Sequence, residues 1–228
     1  MNWERLARAS GIGFVVLAVV SFVVFGERPK VDAAPGEIAS FYEDDRGRVL
    51  TAVPIFALAF MLFLWFAGAI ANALREAGEG RLGATTVALA AVVTGVQFTL
   101  SALAASLALT LAAAGDEGTV RALNTMSWSL DTLNSFAVAA FVVAVTVGLR
   151  RAGLVPRWYA WDGLAGAVLI ALRGTNWATD GFWSPSGEYS WIAIVVAFVW
   201  VLVTSILLLR AAPAMEPPRE TSAATPVA

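Results

Sequence analysis

The chain has 228 residues, of which 59% are hydrophobic and 14% charged, with a net charge of −2. Soluble domains carry about a quarter charged residues, so this much apolar surface must face lipid, and the charge balance gives no footprint for nucleic acid. There is no Cys and no His, which excludes disulfides, His-ligated haem, thiol catalysis, Ser-His-Asp triads and His/Cys zinc sites.

The apolar residues fall in long runs that do not alternate with polar ones. That excludes a β-barrel and predicts an all-α polytopic bundle of six transmembrane helices. The first span is predicted over 6–26. It follows Arg5 and Arg8, as a signal-peptide core would, but Glu27, Arg28 and Lys30 come at once and no clean A-x-A cleavage site appears, so a retained helix is expected. Lys30 is the single lysine and lies in a loop, which speaks against a retinal Schiff base. Residues 27–49 form the longest hydrophilic stretch. Within it Pro35-Gly36 starts a short amphipathic helix with Ile38, Phe41 and Tyr42 on one face.

The second span is predicted over 50–74, with Pro54 tolerated near its start. The third, over 84–113, exceeds the ~20 residues a bilayer needs and is expected to tilt or protrude. Thr94, Gln97 and Ser101 share one of its faces. Residues 115–124 read as a short loop before the fourth span, 125–149. Its first turns are polar, with Ser127, Asp131, Asn134 and Ser135 on one face and Trp128 as an interface marker. The fifth span is predicted over 158–176 and the sixth over 189–209. The tail, 211–228, is rich in Pro, Ser, Thr and Glu and is expected to be disordered and cytoplasmic.

Six spans place both termini on one side. Nine basic residues fall on that side and six on the other, and the short loops with Arg75, Arg81, Arg150, Arg151 and Arg157 carry the bias. The positive-inside rule then makes both termini cytoplasmic, in a bacterial plasma membrane if the Ala- and Arg-rich composition reflects a GC-rich genome. Trp158 and Trp161 mark the inner interface; Trp177, Trp183 and Trp191 mark the outer one.

Arg173 lies about 22 Å along its helix from Trp158, and Asp131 about 28 Å from Arg150, at ~1.5 Å per residue. Both charges therefore sit near the outer edge of a ~30 Å core, on spans joined by a short loop. Two readings stay open. In one, Asp131 and Arg173 pair, and with Asn134, Asn176, Ser127 and Thr175, and Gln97 and Thr94 from deeper, form a site for a small anion or lipid head group. In the other, Arg173 snorkels to the phosphate layer and the polar residues link helices. Asp162 offsets the dipole of its own helix. No residue set holds a metal or a cofactor, and no catalytic residue stands out: there is no P-loop, GxGxxG or zincin motif.

The segment G-L-R-R-A-G-L-V-P-R-W-Y-A-W-D-G-L-A-G-A, with its R-x-x-L-V-P-R-W turn, resembles one common in uncharacterised six-helix bacterial membrane proteins. A-P-G-E-I-A-S-F-Y-E-D-D-R-G-R-V-L is similar to the first outer segment of actinobacterial members of such domain-of-unknown-function families. The resemblance implies a six-helix membrane protein and transfers no catalytic residue. The function expected is that of a non-enzymatic accessory, sensor or small-ligand or lipid-binding protein. The alternatives are a small transporter acting as a homodimer and, less favoured, a carboxylate-based lipid-modifying enzyme.

Overall fold

Apolar runs broken by short polar turns leave the backbone one way to satisfy its hydrogen bonds in lipid, within helices. The computed structural model describes residues 3–111 and 116–211, and over these the chain is all-helical. The helices are α1 (Trp3–Phe25), α2 (Pro35–Asp44), α3 (Arg46–Glu76), α4 (Gly80–Ser106), α5 (Glu117–Arg151), α6 (Arg157–Arg173) and α7 (Glu188–Ala211). A π-helical turn, Leu107–Leu111, continues α4. Among the described residues α1, α3, α4 with its continuation, α5 and α7 are long and apolar enough to cross a membrane. The fifth expected span, α6, has 17 residues, about 25 Å at ~1.5 Å per residue.

Several boundaries differ from expectation. α5 begins at Glu117, not near 125: the carboxylate of Asp116 accepts from the Thr119 backbone N–H at 3.3 Å. That cap makes the polar stretch helical before the apolar run starts. α6 stops at Arg173, three residues short of 176. Gly174, Thr175 and Asn176 each donate to the carbonyl three residues back, a tight 3₁₀-type turn that satisfies the helix end. The expected disordered tail, apart from Ala211, lies outside the described residues, as do the last positions of the 84–113 span.

The long helices pack in chain order. α1 lies on α3, α3 on α4, α4 on α5, α5 on α6 and α6 on α7, and α7 returns to α1. The six therefore make a closed ring. One end, the terminal end, holds the start of α1 beside the end of α7. There the buried Arg8 guanidinium donates to the Leu208 carbonyl at 3.2 Å and pairs with Glu4, while the Ser205 hydroxyl donates to the Arg8 carbonyl. The α3–α4 turn meets the end of α5 through Glu79 and Arg151, 2.9 Å apart.

Aromatic side chains cross the ring at mid-height. Phe14 meets Phe60, Phe63 and Phe198; Phe63 meets Phe141 at 5.0 Å; and Phe141 meets Trp200 at 6.0 Å. Rings from α1, α3, α5 and α7 thus form a septum, with centroids in the range of favourable edge-to-face packing. On the terminal side of it, Gly163 lets α6 approach closely, since an added Cβ would meet Thr146 Cγ2 at 2.8 Å and Trp200 Nε1 at 3.1 Å. The Tyr159 and Thr204 hydroxyls bond there at 2.7 Å.

The opposite end is a mouth. After α1 the chain reverses at Gly26, whose φ of +83° is left-handed, a conformation open to glycine at no steric cost. The Arg48 guanidinium fills the space a Cβ would need there. α2 then lies against α5, with Ile38 and Tyr42 buried beside Val49, Leu107 and Val120. Glu37, Glu43 and Asp44 are exposed.

Candidate functional site

Between the septum and the mouth the ring encloses a cavity of about 260 Å³. All six ring helices line it. Its floor and walls are apolar, formed largely by Phe14, Phe56, Phe63, Phe141, Phe198 and Trp200. Its upper part is polar and lies mainly on α5. Asp131 and Phe141 both line it and are ten residues apart on that helix, about 15 Å at ~1.5 Å per residue.

Asp131 and Arg173 form an ion pair across α5 and α6. The guanidinium also donates to the Asp131 backbone carbonyl at 3.0 Å and to the Ser135 hydroxyl at 2.8 Å. Arg173 is only 6% exposed. It does not snorkel, because the polar face of α5 gives it three acceptors within reach, whereas an extended side chain would leave Asp131 alone. Serving both the carboxylate and a backbone carbonyl, it clamps α6 onto α5.

Arg28 is the residue that reading the sequence missed. It stands in the loop after Gly26 and was counted only as a topological charge. In the fold its side chain reaches the mouth and donates to the Ser127 hydroxyl, with the Asn124 carbonyl 3.5 Å away. Its guanidinium carbon lies 4.1 Å from the centre of the Trp128 ring, a cation–π arrangement. Trp128, expected from the sequence as an interface marker, is thus a platform under Arg28, and its indole N–H donates to the Pro29 carbonyl at 3.0 Å, pinning the loop. No carboxylate among the described residues lies within ion-pair distance of Arg28. Burial pulls its guanidinium below the ordinary value. The Tyr42 hydroxyl and Asp131 oppose that pull, while Arg173 adds to it. The same burial raises the Tyr42 phenol, against the pull of Arg28.

The other expected residues separate. Ser127 lines the cavity as an acceptor for Arg28 and donates to the Asn124 carbonyl at 2.8 Å. Asn134 lines it too, is 4% exposed, and neither atom of its amide has a partner. Gln97 lines the α4 side, half-buried. Asn176 is not in the cavity: it is buried in the turn after α6, with its amide 3.3 Å from the Ser190 hydroxyl. Thr175 bonds its own helix end, and Thr94, although buried, does not line the cavity. Among the described residues no group of His, Cys, Asp or Glu is arranged to hold a metal.

The polar end therefore contains two guanidinium groups and one carboxylate, a net charge of +1. It leaves Arg173 Nε and the whole Asn134 amide without partners. Buried polar groups are almost always hydrogen-bonded. Orphans that border an internal space mark positions a bound molecule or water would occupy. Compared with protein-family models, curated proteins and solved structures, the chain finds no match in any of the three.

Proposed function

We propose that this is a non-enzymatic membrane protein that holds a small molecule inside its helical ring. The observation that carries the reading is the cavity itself, with apolar walls, a charged rim and partnerless polar atoms facing the same space. Binding sites for small molecules have this composition: mostly apolar, with a few convergent polar groups. The transporter reading would need a polar path continuing past Gln97, and there the walls turn to phenylalanine and tryptophan. The enzyme reading would need carboxylates free to act, and Asp131 is engaged by Arg173.

In this proposal all six ring helices span a bacterial plasma membrane. The 17 residues of α6 extend through the turn 174–176; at ~2.0 Å per residue that turn brings the element to about 31 Å, enough for a ~30 Å core. Arginines gather at the terminal end, which supports placing both termini in the cytoplasm, and α2 then rests at the outer surface. A fluorescent reporter that matures only in the cytoplasm, fused after Ala228, is expected to be bright; an expressed but dark fusion would reverse the orientation.

Tryptophans at the floor and the rim, Trp200 and Trp128, allow a direct test of binding. Addition of 10-bromodecanol to the purified protein is expected to quench emission saturably. Ala193, 2% exposed and lining the cavity, offers the control: Ala193→Phe fills the space and is expected to abolish the saturable part. Quenching that never saturates, or that survives Ala193→Phe unchanged, would end the ligand-binding reading.

A further inference from the structure

We infer that the cavity takes a single-chain amphiphile with one negative head group, a carboxylate, bound head-up at Arg28 with its chain running down toward the septum. The inference rests on the ligand-binding reading above and adds the ligand's class and orientation. Three observations carry it.

The first is charge. Asp131 neutralises Arg173 at close contact, but no carboxylate among the described residues lies within ion-pair distance of Arg28. A guanidinium held over an indole ring and against a serine hydroxyl is oriented yet electrically unmatched. One negative charge completes the rim, and a planar carboxylate matches the donor fork of arginine. A second negative charge would have no second free cation to meet in the cavity.

The second is size and shape. The volume, about 260 Å³, lies just under the ~300–1,000 Å³ of small-molecule pockets. That admits one chain and excludes a phospholipid with two. The polar side chains lie at the rim and on the upper part of α5, with Ser21, Gln97, Ser101 and Ser190 on the other walls, and the floor below them is aromatic and aliphatic. An amphiphile matches that gradient in one orientation only.

The third is Asn134. It stands seven residues below Ser127 on α5, about 10 Å at ~1.5 Å per residue, buried and without a hydrogen-bond partner. Whichever way its amide is turned, it offers an NH2 donor group and an acceptor oxygen. A hydroxyl on the chain of the bound molecule would meet it, so a hydroxylated chain is preferred over a plain one.

The test compares 10-bromodecanoate with 10-bromodecanol by tryptophan quenching, with acetate as competitor. The carboxylate is expected to bind at least 10-fold tighter than the alcohol. Arg28→Gln should weaken the carboxylate by about 10- to 100-fold, the range of a charge-assisted hydrogen bond, and leave the alcohol unchanged. Arg28→Lys, which keeps the charge and loses the fork, should retain only part of the preference, and it supplies the measurement if Arg28→Gln does not fold. Asn134→Leu should erase the advantage of 8-hydroxydecanoate over decanoate as competitors. Equal affinity for carboxylate and alcohol, or equal loss of both in the Arg28 variants, would overturn the head-group assignment while leaving ligand binding intact. Displacement of bromodecanoate by millimolar acetate would make the ligand a free anion and overturn the amphiphile. Saturable binding of none of them would remove both readings together.

Discussion

The two halves of the ring bury similar residues and use them differently. On the terminal side of the septum, polar groups knit helices: Tyr159 bonds Thr204 at 2.7 Å, and Ser205 and Arg8 tie α7 to α1. On the mouth side Arg173 does comparable work between α6 and α5, but Arg28 and Asn134 border an empty volume. Residue type does not separate the two halves, since each contains a buried arginine and several hydroxyls. Space separates them. Gly163 lets the backbones close up on one side, whereas on the other the phenylalanines of α1 and α3 line a gap that no side chain fills. A buried polar residue becomes a candidate site where packing stops short of it.

The comparison can be broken at its strongest point by removing Asp131. Asp131→Ala leaves Arg173, 6% exposed, without its counter-ion. Leaving a buried charge uncompensated costs about 3–5 kcal/mol, read as a lower unfolding midpoint in detergent. The double variant Asp131→Ala/Arg173→Ala should recover part of this, with a coupling of about 1–3 kcal/mol; additive losses would mean that the pair does not act as a unit. Of intermediate size is Gly163→Ala in the tight half. Its new Cβ would press on Thr146 and Trp200, and overpacking costs about 1–3 kcal/mol. An alanine at Gly95, where nothing lies within 4 Å, should be tolerated at the level of the parent protein.

The smallest effect is at the mouth and appears only in alkali. Burial raises the Tyr42 phenol above its ordinary value near 10. The folded state then keeps its proton while the unfolded state loses it. The contribution of Tyr42 is whole below about pH 10 and declines as pH rises through the raised value. Thermal stability should fall above pH 10, and Tyr42→Phe should remove that part of the decline while leaving neutral-pH stability nearly unchanged.

Apolar run length made the helices legible, because lipid permits little else. Depth counting brought Asp131 and Arg173 to one level, because both helices rise by the same increment from the same interface. Three things were hidden. The start of α5 depended on one capping carboxylate, Asp116, which contributes nothing to hydropathy. Asn176 fell outside the site because the last turn of α6 tightens and carries it into the following loop. Arg28 was invisible because its role needs the chain to reverse at Gly26 and lie back over α5, a contact between residues nearly a hundred positions apart. The glycine after the first span was the one available signal, since a left-handed residue there turns the loop inward.

Ring order and chain order coincide, and Arg8 and Ser205 hold the first helix against the last. The ring therefore has no covalent connection across one seam, between α1 and α7, and the chain itself runs across every other. Which seam lacks the bond is arbitrary as far as the packing is concerned. A circular permutant that joins Ala211 to Trp3 through a short linker and opens the chain at Gly78, an exposed turn with φ of +84°, should close around the same lumen.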